Sequence, residues 1–383
     1  MPLDLALLSR KLKAYREQFE ASFEQVAAAT GIPADRLAEL ESGGQKPTGD
    51  EILIIADYYK CDYNYFLSGD EPAVFEQTEE LYRTHGDQFS PEDRWAVQEF
   101  LYLCECEQFL WQAFERSPSS SFSFRKTGGH YKRQGADAAE ALRRFKNYQA
   151  NQVVSDVFQD LRSIGFHVFR RRLGNSKISG LCVRHPQAGN CLLINYDEDM
   201  FRQRFTAAHE GGHAILDDDQ SVIVSYEGAH DRREVRANAF ASGYLVPRET
   251  LALLPNDLPW TPETVTEWGI RFGVNPEPLL FALKDIGRVS EQQVEELRRV
   301  RIPPNKKNDP ELSNSLSANT SRRVREMLER GLSAPYVNLC FDAYDADDQR
   351  IVSAARLAEM LLADPGQVAD IAALYGRVLR HEL

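Results

Sequence analysis

Over the first 70 residues, apolar positions recur at the three- and four-residue spacing of short helices. Leu5, Leu8, Leu12 and Tyr15 mark one face of a helix over about residues 3–18. Ser22 can cap a second helix that runs to Ala29 and ends at Gly31, and Pro33 opens a third that stops at Ser42-Gly43-Gly44. A fourth is expected from Thr48 to Tyr59, and a short fifth from Asp62 to near Gly69. The second and third, joined by a tight turn carrying Gly31, follow the helix-turn-helix pattern.

Residues 71–116 read as two more helices, broken near His85-Gly86 and Ser90-Pro91. The aromatics of the second (Trp95, Phe100, Tyr102, Phe109, Trp111, Phe114) mark a packing helix. A Ser/Gly-rich linker follows from Ser117 to Arg133, then a long amphipathic helix from Asp137 to Ile164, ended by Gly165. The period then switches from helix to strand at Phe166–Phe169, Ile178–Val183 and Cys191–Ile194, with a turn at Pro186 to Asn190. Asp197 caps a helix running to Leu216, and residues 232–245 form another, closed by Pro247. Further helices lie between about 261 and 300. A Pro/Asn/Ser-rich linker and a helical C-terminal stretch complete the chain. The reading is an α+β fold, mostly α, in five parts. These are a helix-turn-helix bundle over 1–70, a helical connector and linker over 71–133, and a central domain with a small antiparallel sheet over 134–300. A linker over 301–322 and a helical C-terminal domain over 323–383 follow.

Length and composition fit this reading. A chain of 383 residues with 43% hydrophobic and 27% charged residues suits two or three globular domains. No apolar run approaches the ~18 residues that cross a bilayer, and Met1-Pro2-Leu3-Asp4 is not the start of a secretory signal. A cytoplasmic protein without membrane contact is expected. The six Cys (61, 104, 106, 182, 191, 340) lack a disulfide framework and read as buried thiols. A net charge of −13 disfavours indiscriminate nucleic-acid binding.

The chemistry concentrates in His209-Glu210-Gly211-Gly212-His213. On a helix, residues four apart share a face, so His209 and His213 can grip one metal ion with Glu210 beside them. This H-E-x-x-H spacing is the one that zinc hydrolases use. A catalytic zinc needs a third protein ligand and keeps a fourth position open. Glu234, on the next helix, is the leading candidate, with Asp217, Asp218, Asp219 and His230 as alternatives. Asn238, one turn beyond Glu234, is placed to hydrogen-bond the far nitrogen of a ligand His. Glu210 would act as general base, and Tyr226, His230 or Arg233 would help stabilise an oxyanion. Gly211 and Gly212 each cost a helix about 1 kcal/mol, so they are expected to make room for metal or substrate. Substrate backbone could pair with a sheet edge at Leu181–Arg184 or Leu192–Asn195.

At this point the residues resemble a known family. Arg204-Phe205-Thr206-Ala207-Ala208 leading into the H-E-x-x-H, Glu234-x-x-Ala237-Asn238-x-Phe240-Ala241 and Leu245-Val246-Pro247 are similar to the signatures of the ImmA/IrrE metallopeptidases. The resemblance runs over about residues 135–290. It implies a zincin-like peptidase domain with His209, His213 and Glu234 as zinc ligands and Glu210 as the base. Such enzymes typically cleave a helix-turn-helix repressor. The N-terminal part resembles an Xre-type, Cro/C1-like helix-turn-helix domain through Val26-Ala27, Gly31-Ile32, Leu37, Leu40-Glu41, Gly43 and Pro47, which implies DNA as a partner and a homodimer.

That domain departs from its pattern at the DNA-facing positions. Phe23 stands where a phosphate-contacting Gln is usual, and of Ala34, Asp35, Arg36 and Glu39 only Arg36 suits DNA. Residues 1–70 hold 7 Lys/Arg against 12 Asp/Glu, a net of −5, whereas DNA binding rests on several cationic phosphate contacts. The leading expectation is a regulatory zinc endopeptidase acting on a protein target. Two competing readings are a DNA-binding regulator in which the zinc domain is a sensor or scaffold, and an antitoxin-like protein-binding module.

Overall fold

The computed structural model describes residues 4–61, 63–67, 81, 89–116, 122–175, 177–217, 219–226, 231–346 and 351–379. The N-terminal bundle consists of α1 (Leu5–Gln18), α2 (Phe23–Thr30), α3 (Ala34–Glu41), α4 (Gly49–Tyr58) and α5 (Tyr63–Leu67). Ser22 with Gln25, and Thr48 with Glu51, form reciprocal caps that start α2 and α4. Gly31 ends α2 at φ 73°, in the left-handed region where a Cβ is penalised. Leu8, Leu12, Tyr15, Val26, Leu37, Leu40, Ile52 and Ile55 meet in one small core. The bundle joins the rest through α6 (Pro91–Ala113), whose Trp95 stacks on Phe19 at 4.1 Å between ring centroids. Of residues 68–88 only Leu81 is described, so the helix expected there lies outside the described residues.

The sheet has strands β1 (His167–Arg171), β2 (Ile178–His185), β3 (Gly189–Asn195) and β4 (Val222–Tyr226), in the order β1-β3-β2-β4. It is mixed, with β1 parallel to β3 and the other pairs antiparallel, where a wholly antiparallel sheet was expected. Alternate residues serve two cores. Phe169, Leu181, Val183, Leu193 and Val224 pack with α6 and the C-terminal helices. Val168, Cys182, Leu192 and Ile194 pack with the helices on the opposite face of the sheet. Leu181–Arg184 and Leu192–Asn195 lie on interior strands with neighbours on both sides, so neither is a free edge. Among the described strands the outer ones are β1 and β4, and β4 was not anticipated.

The helix expected over 137–164 is two: α7 (Tyr131–Phe145), which starts inside the expected linker, and α8 (Val157–Ser163). Asn147 turns the chain at φ 58°, a conformation that Asn tolerates, and Asp156 caps the new helix by accepting from Gln159 N. α9 (Met200–Leu216) is capped by Asp199, whose carboxylate accepts from Phe201 N and Arg202 N; Asp197 instead pairs with Arg172. Beyond β4 come α10 (Arg232–Leu245), α11 (Arg248–Ala252), α12 (Pro262–Phe272), α13 (Pro276–Asp285) and α14 (Glu291–Leu297). The C-terminal group is α15 (Ala318–Leu328), α16 (Ala334–Tyr344), α17 (Ala354–Met360) and α18 (Val368–Leu374). The buried Arg204 of α9 donates to Val154 O and Ser155 O at 2.6 Å and to Gly273 O at 3.1 Å, tying three segments to the site helix. Five of the six Cys are buried and Cys61 is half-buried.

The stretch 301–322 is anchored. Glu311 lies between Arg162, at 2.5 Å, and Arg170, at 2.7 Å, and Asp309 also pairs with Arg170, at 2.9 Å. Both guanidiniums and Glu311 are buried, so each charge needs the others. Glu311→Ala leaves two buried cations short of a partner. We expect a loss of about 3–5 kcal/mol in a denaturant titration, and a change below ~1 kcal/mol would show that the network is dispensable.

Candidate metal centre

α9 and α10 bring the polar residues together because they pack closely. A Cβ on Gly212 would meet the Phe240 side chain of α10 at 3.1 Å, and one on Gly211 would meet Leu161 of α8 at 2.7 Å. The paired glycines therefore make room for neighbouring helices, not for metal or substrate as their sequence position suggested. α7 holds α10 from outside, and a Cβ on Gly135 would run into Arg236 O.

His209 and His213 turn their Nε2 atoms toward one point, 3.0 Å apart. Glu234, in the first turn of α10, places Oε2 at 3.2 Å from His209 Nε2 and Oε1 at 3.3 Å from His213 Nε2. The three candidate ligand atoms lie within 4.8 Å of one another, and all three residues are buried. Behind them, His209 Nδ1 meets Asn238 Oδ1 at 3.0 Å and His213 Nδ1 meets Asp217 Oδ2 at 2.7 Å. Both acceptors draw the ring proton to Nδ1 and leave the Nε2 lone pairs facing the shared point. Asp217, weighed from sequence as a ligand, is thus a partner of His213, and Arg236 pairs with its other oxygen. Burial raises the Glu234 carboxyl, but the two facing imidazoles outweigh it and hold it at about 2. Nitrogen and carboxylate donors in this number suit a zinc-type ion.

Glu210 is 0% exposed, and neither of its carboxylate oxygens has a hydrogen-bond partner among the described residues. It lies against β2, where a Cβ on Gly180 would come within 2.7 Å of Oε1. Burial pushes its pKa above the ordinary carboxylate range, and the neighbouring His209 and His213 pull it part of the way back. The Ser225 hydroxyl of β4 lies beside it, buried and also without a strict hydrogen-bond partner. In front of His209, Glu234, Thr206 and Ser225 opens a groove of about 1110 Å³.

The remaining candidates fall elsewhere. Arg233 pairs with Asp219 at 2.9 Å. Tyr226 ends β4, with its side chain outside the described set, and His230 and Asp218 lie outside the described residues. Arg36, on α3, donates to both oxygens of Glu51, at 2.8 and 3.0 Å, and to Lys46 O at 3.1 Å. Its guanidinium holds the Glu51 carboxyl at about 2. Sequence reasoning passed over Ser225 and Gly180, which no local motif marks. It weighed Asp217 only as an alternative ligand and missed its place behind His213, although the four-residue step was a signal.

This geometry is that of a metallopeptidase-like centre. Residues 161–284 match the peptidase family model described as the IrrE N-terminal-like domain, and residues 7–63 match that of a helix-turn-helix domain. The chain is also similar to the radiation response metalloprotease IrrE of Deinococcus radiodurans, at 35% identity over 102 residues. That stretch takes in 25% of this chain and 31% of the length of that protein. No solved structure matches the chain.

If Asn238 and Asp217 orient the imidazoles, Asn238→Ala and Asp217→Asn should each weaken zinc binding about 10–100-fold in competition with a chromophoric chelator. Unchanged affinity in both variants would show that the rings need no such support.

Proposed function

We propose that this chain is a cytoplasmic, zinc-dependent endopeptidase of regulatory type that cuts a protein target, with a helix-turn-helix repressor as the first candidate. The observation that carries this reading is the convergence of His209, His213 and Glu234 beside the buried, unpartnered carboxylate of Glu210. These three residues would hold the ion. A bound zinc supplies Lewis acidity, which polarises a carbonyl and eases ionisation of a water. Glu210 accepts a proton from water in the groove and returns it to the leaving amine. Its burial raises its proton affinity, which suits a group that must take up a proton and hold it until the amine departs. Asn238 and Asp217 keep the rings in register. The open side of β4, whose Ser225 lines the groove, is the edge to which substrate backbone would add.

A helix-turn-helix domain points to DNA, and a peptidase domain to a protein substrate. The Arg36–Glu51 pair and the net charge of −5 over residues 1–70 favour protein recognition by this domain. Arg36→Ala should then leave affinity for duplex DNA unchanged in fluorescence anisotropy at physiological salt. A tenfold or larger loss would place α3 on DNA instead.

The enzyme reading is tested by metal analysis together with Glu210→Gln. One zinc per chain is expected in both proteins. Cleavage, followed by comparing the proteomes of cells carrying either form, should fall about 10²–10⁴-fold in the variant. A folded, metal-free protein whose cellular effects survive Glu210→Gln would overturn the proposal.

A further inference from the structure

Three helices present one face each to the groove. On α10 and its C-cap, Val235, Ala239, Ser242, Gly243 and Val246 line it. Their spacing places them on one side of the helix over about 16 Å. α13 contributes Pro278 and Phe281 on one flank, and α7 contributes Ala136 and Glu140 on the other. Phe205, one turn before His209 on α9, closes the end nearest the candidate ligands. The groove is therefore floored by small and apolar residues of the same helix that carries Glu234. Phe281 is 43% exposed and Val235 42%, large apolar surfaces left open beside a buried polar centre. The rim carries both signs, Lys132 and Arg133 against Asp137 and Glu140, so charge does not select what enters.

Width decides the form of the occupant. Lys132 of α7 and Asp285 of α13 meet at 2.7 Å and both line the groove. A single Lys–Asp contact spans from one flank to the other. With the flanking side chains counted, the gap is narrower than a helix of ~10–12 Å diameter. An extended chain needs only ~4.7–4.9 Å. At ~3.3 Å per residue, the floor accommodates about five residues. The volume of about 1110 Å³ also exceeds the ~300–1,000 Å³ of small-molecule sites.

We propose that this groove is the substrate subsite on one side of the cleaved bond, and that it takes an extended segment carrying large apolar side chains. Phe205, Val235 and Phe281 grip the apolar residue next to the bond, and the Lys132–Asp285 pair opens to admit the chain. The inference rests on the endopeptidase reading, but its test is binding. A random dodecapeptide library is passed over immobilised, zinc-loaded Glu210→Gln protein, and the retained peptides are sequenced. Enrichment in Phe, Leu, Met and Ile is expected, and Phe281→Glu in the same background should lower retention of a selected peptide at least tenfold. Phe281→Ala, a truncation at a half-open position, serves if the Glu variant does not fold. Lys132→Ala should tighten binding by up to about fivefold, the scale of an exposed ion pair. No apolar enrichment, or retention indifferent to Phe281, overturns the proposal. Apolar selection by a protein without zinc or Glu210-dependent cleavage would refute the enzyme and leave the groove standing. A working enzyme whose retention ignores Phe281 would refute the groove alone.

Discussion

The site depends on how closely α10 lies against α9. Imidazole and carboxylate ligands reach zinc at ~2.0–2.2 Å, so a shift of one ångström in the helix carrying Glu234 would take it out of range of the two His. The separation is set by positions without side chains. Gly212 faces Phe240, Gly135 faces the Arg236 carbonyl, and Gly243 faces Ala139. Any Cβ at Gly212 or Gly135 must displace a neighbour. Each helical glycine forfeits about 1 kcal/mol of intrinsic propensity, and the packing it permits offsets that loss. The same closeness lets Asn238 and Asp217 reach the two Nδ1 atoms, so ligand orientation and helix packing are one constraint.

The sheet transmits this constraint to the rest of the molecule. One face carries Cys182 and Leu192 toward α9, and β2 gives up a side chain at Gly180 so that the Glu210 carboxylate fits against it. The other face is covered by α6 and by α16 to α18, with Leu103, Cys104, Tyr336 and Phe341 fully buried among the strand residues. Residues 134–300 alone would expose that face. The IrrE-like match over 161–284 therefore covers the chemistry and leaves out part of the core beneath it. The buried Arg162, Arg170 and Glu311 add a polar lock to the same arrangement, drawing 309–311 onto α8 and β1.

Much of this was legible in the sequence. The H-E-x-x-H, Glu234 and Asn238 declare themselves by helical spacing, and spacing is what the structure turns into a shared point. The cap at Ser22, the start of a helix near Thr48 and the stop at Gly31 were equally local. Other expectations failed. The helix over 137–164 breaks at Asn147, where an amphipathic pattern continues across a turn that only the left-handed φ reveals. β4 is short and pairs with β2 from a distance, so periodicity did not single it out. The pairing of β1 with β3 depends on which neighbour each strand finds, which no single strand encodes. The paired glycines were noticed, but what fills the space beside them comes from two other helices.

The N-terminal domain shows how local chemistry can redirect a familiar fold. Glu51 performs two tasks, since it accepts from Thr48 N in the cap of α4 and also binds Arg36 through both oxygens. A phosphate that recruited Arg36 would have to displace a two-point carboxylate contact. It would do so on a domain whose net charge already repels it. With its pKa near 2, Glu51 stays ionised throughout the physiological range, so no ordinary change of pH frees the arginine. The helix-turn-helix geometry is retained while Arg36 of α3 is held internally by Glu51.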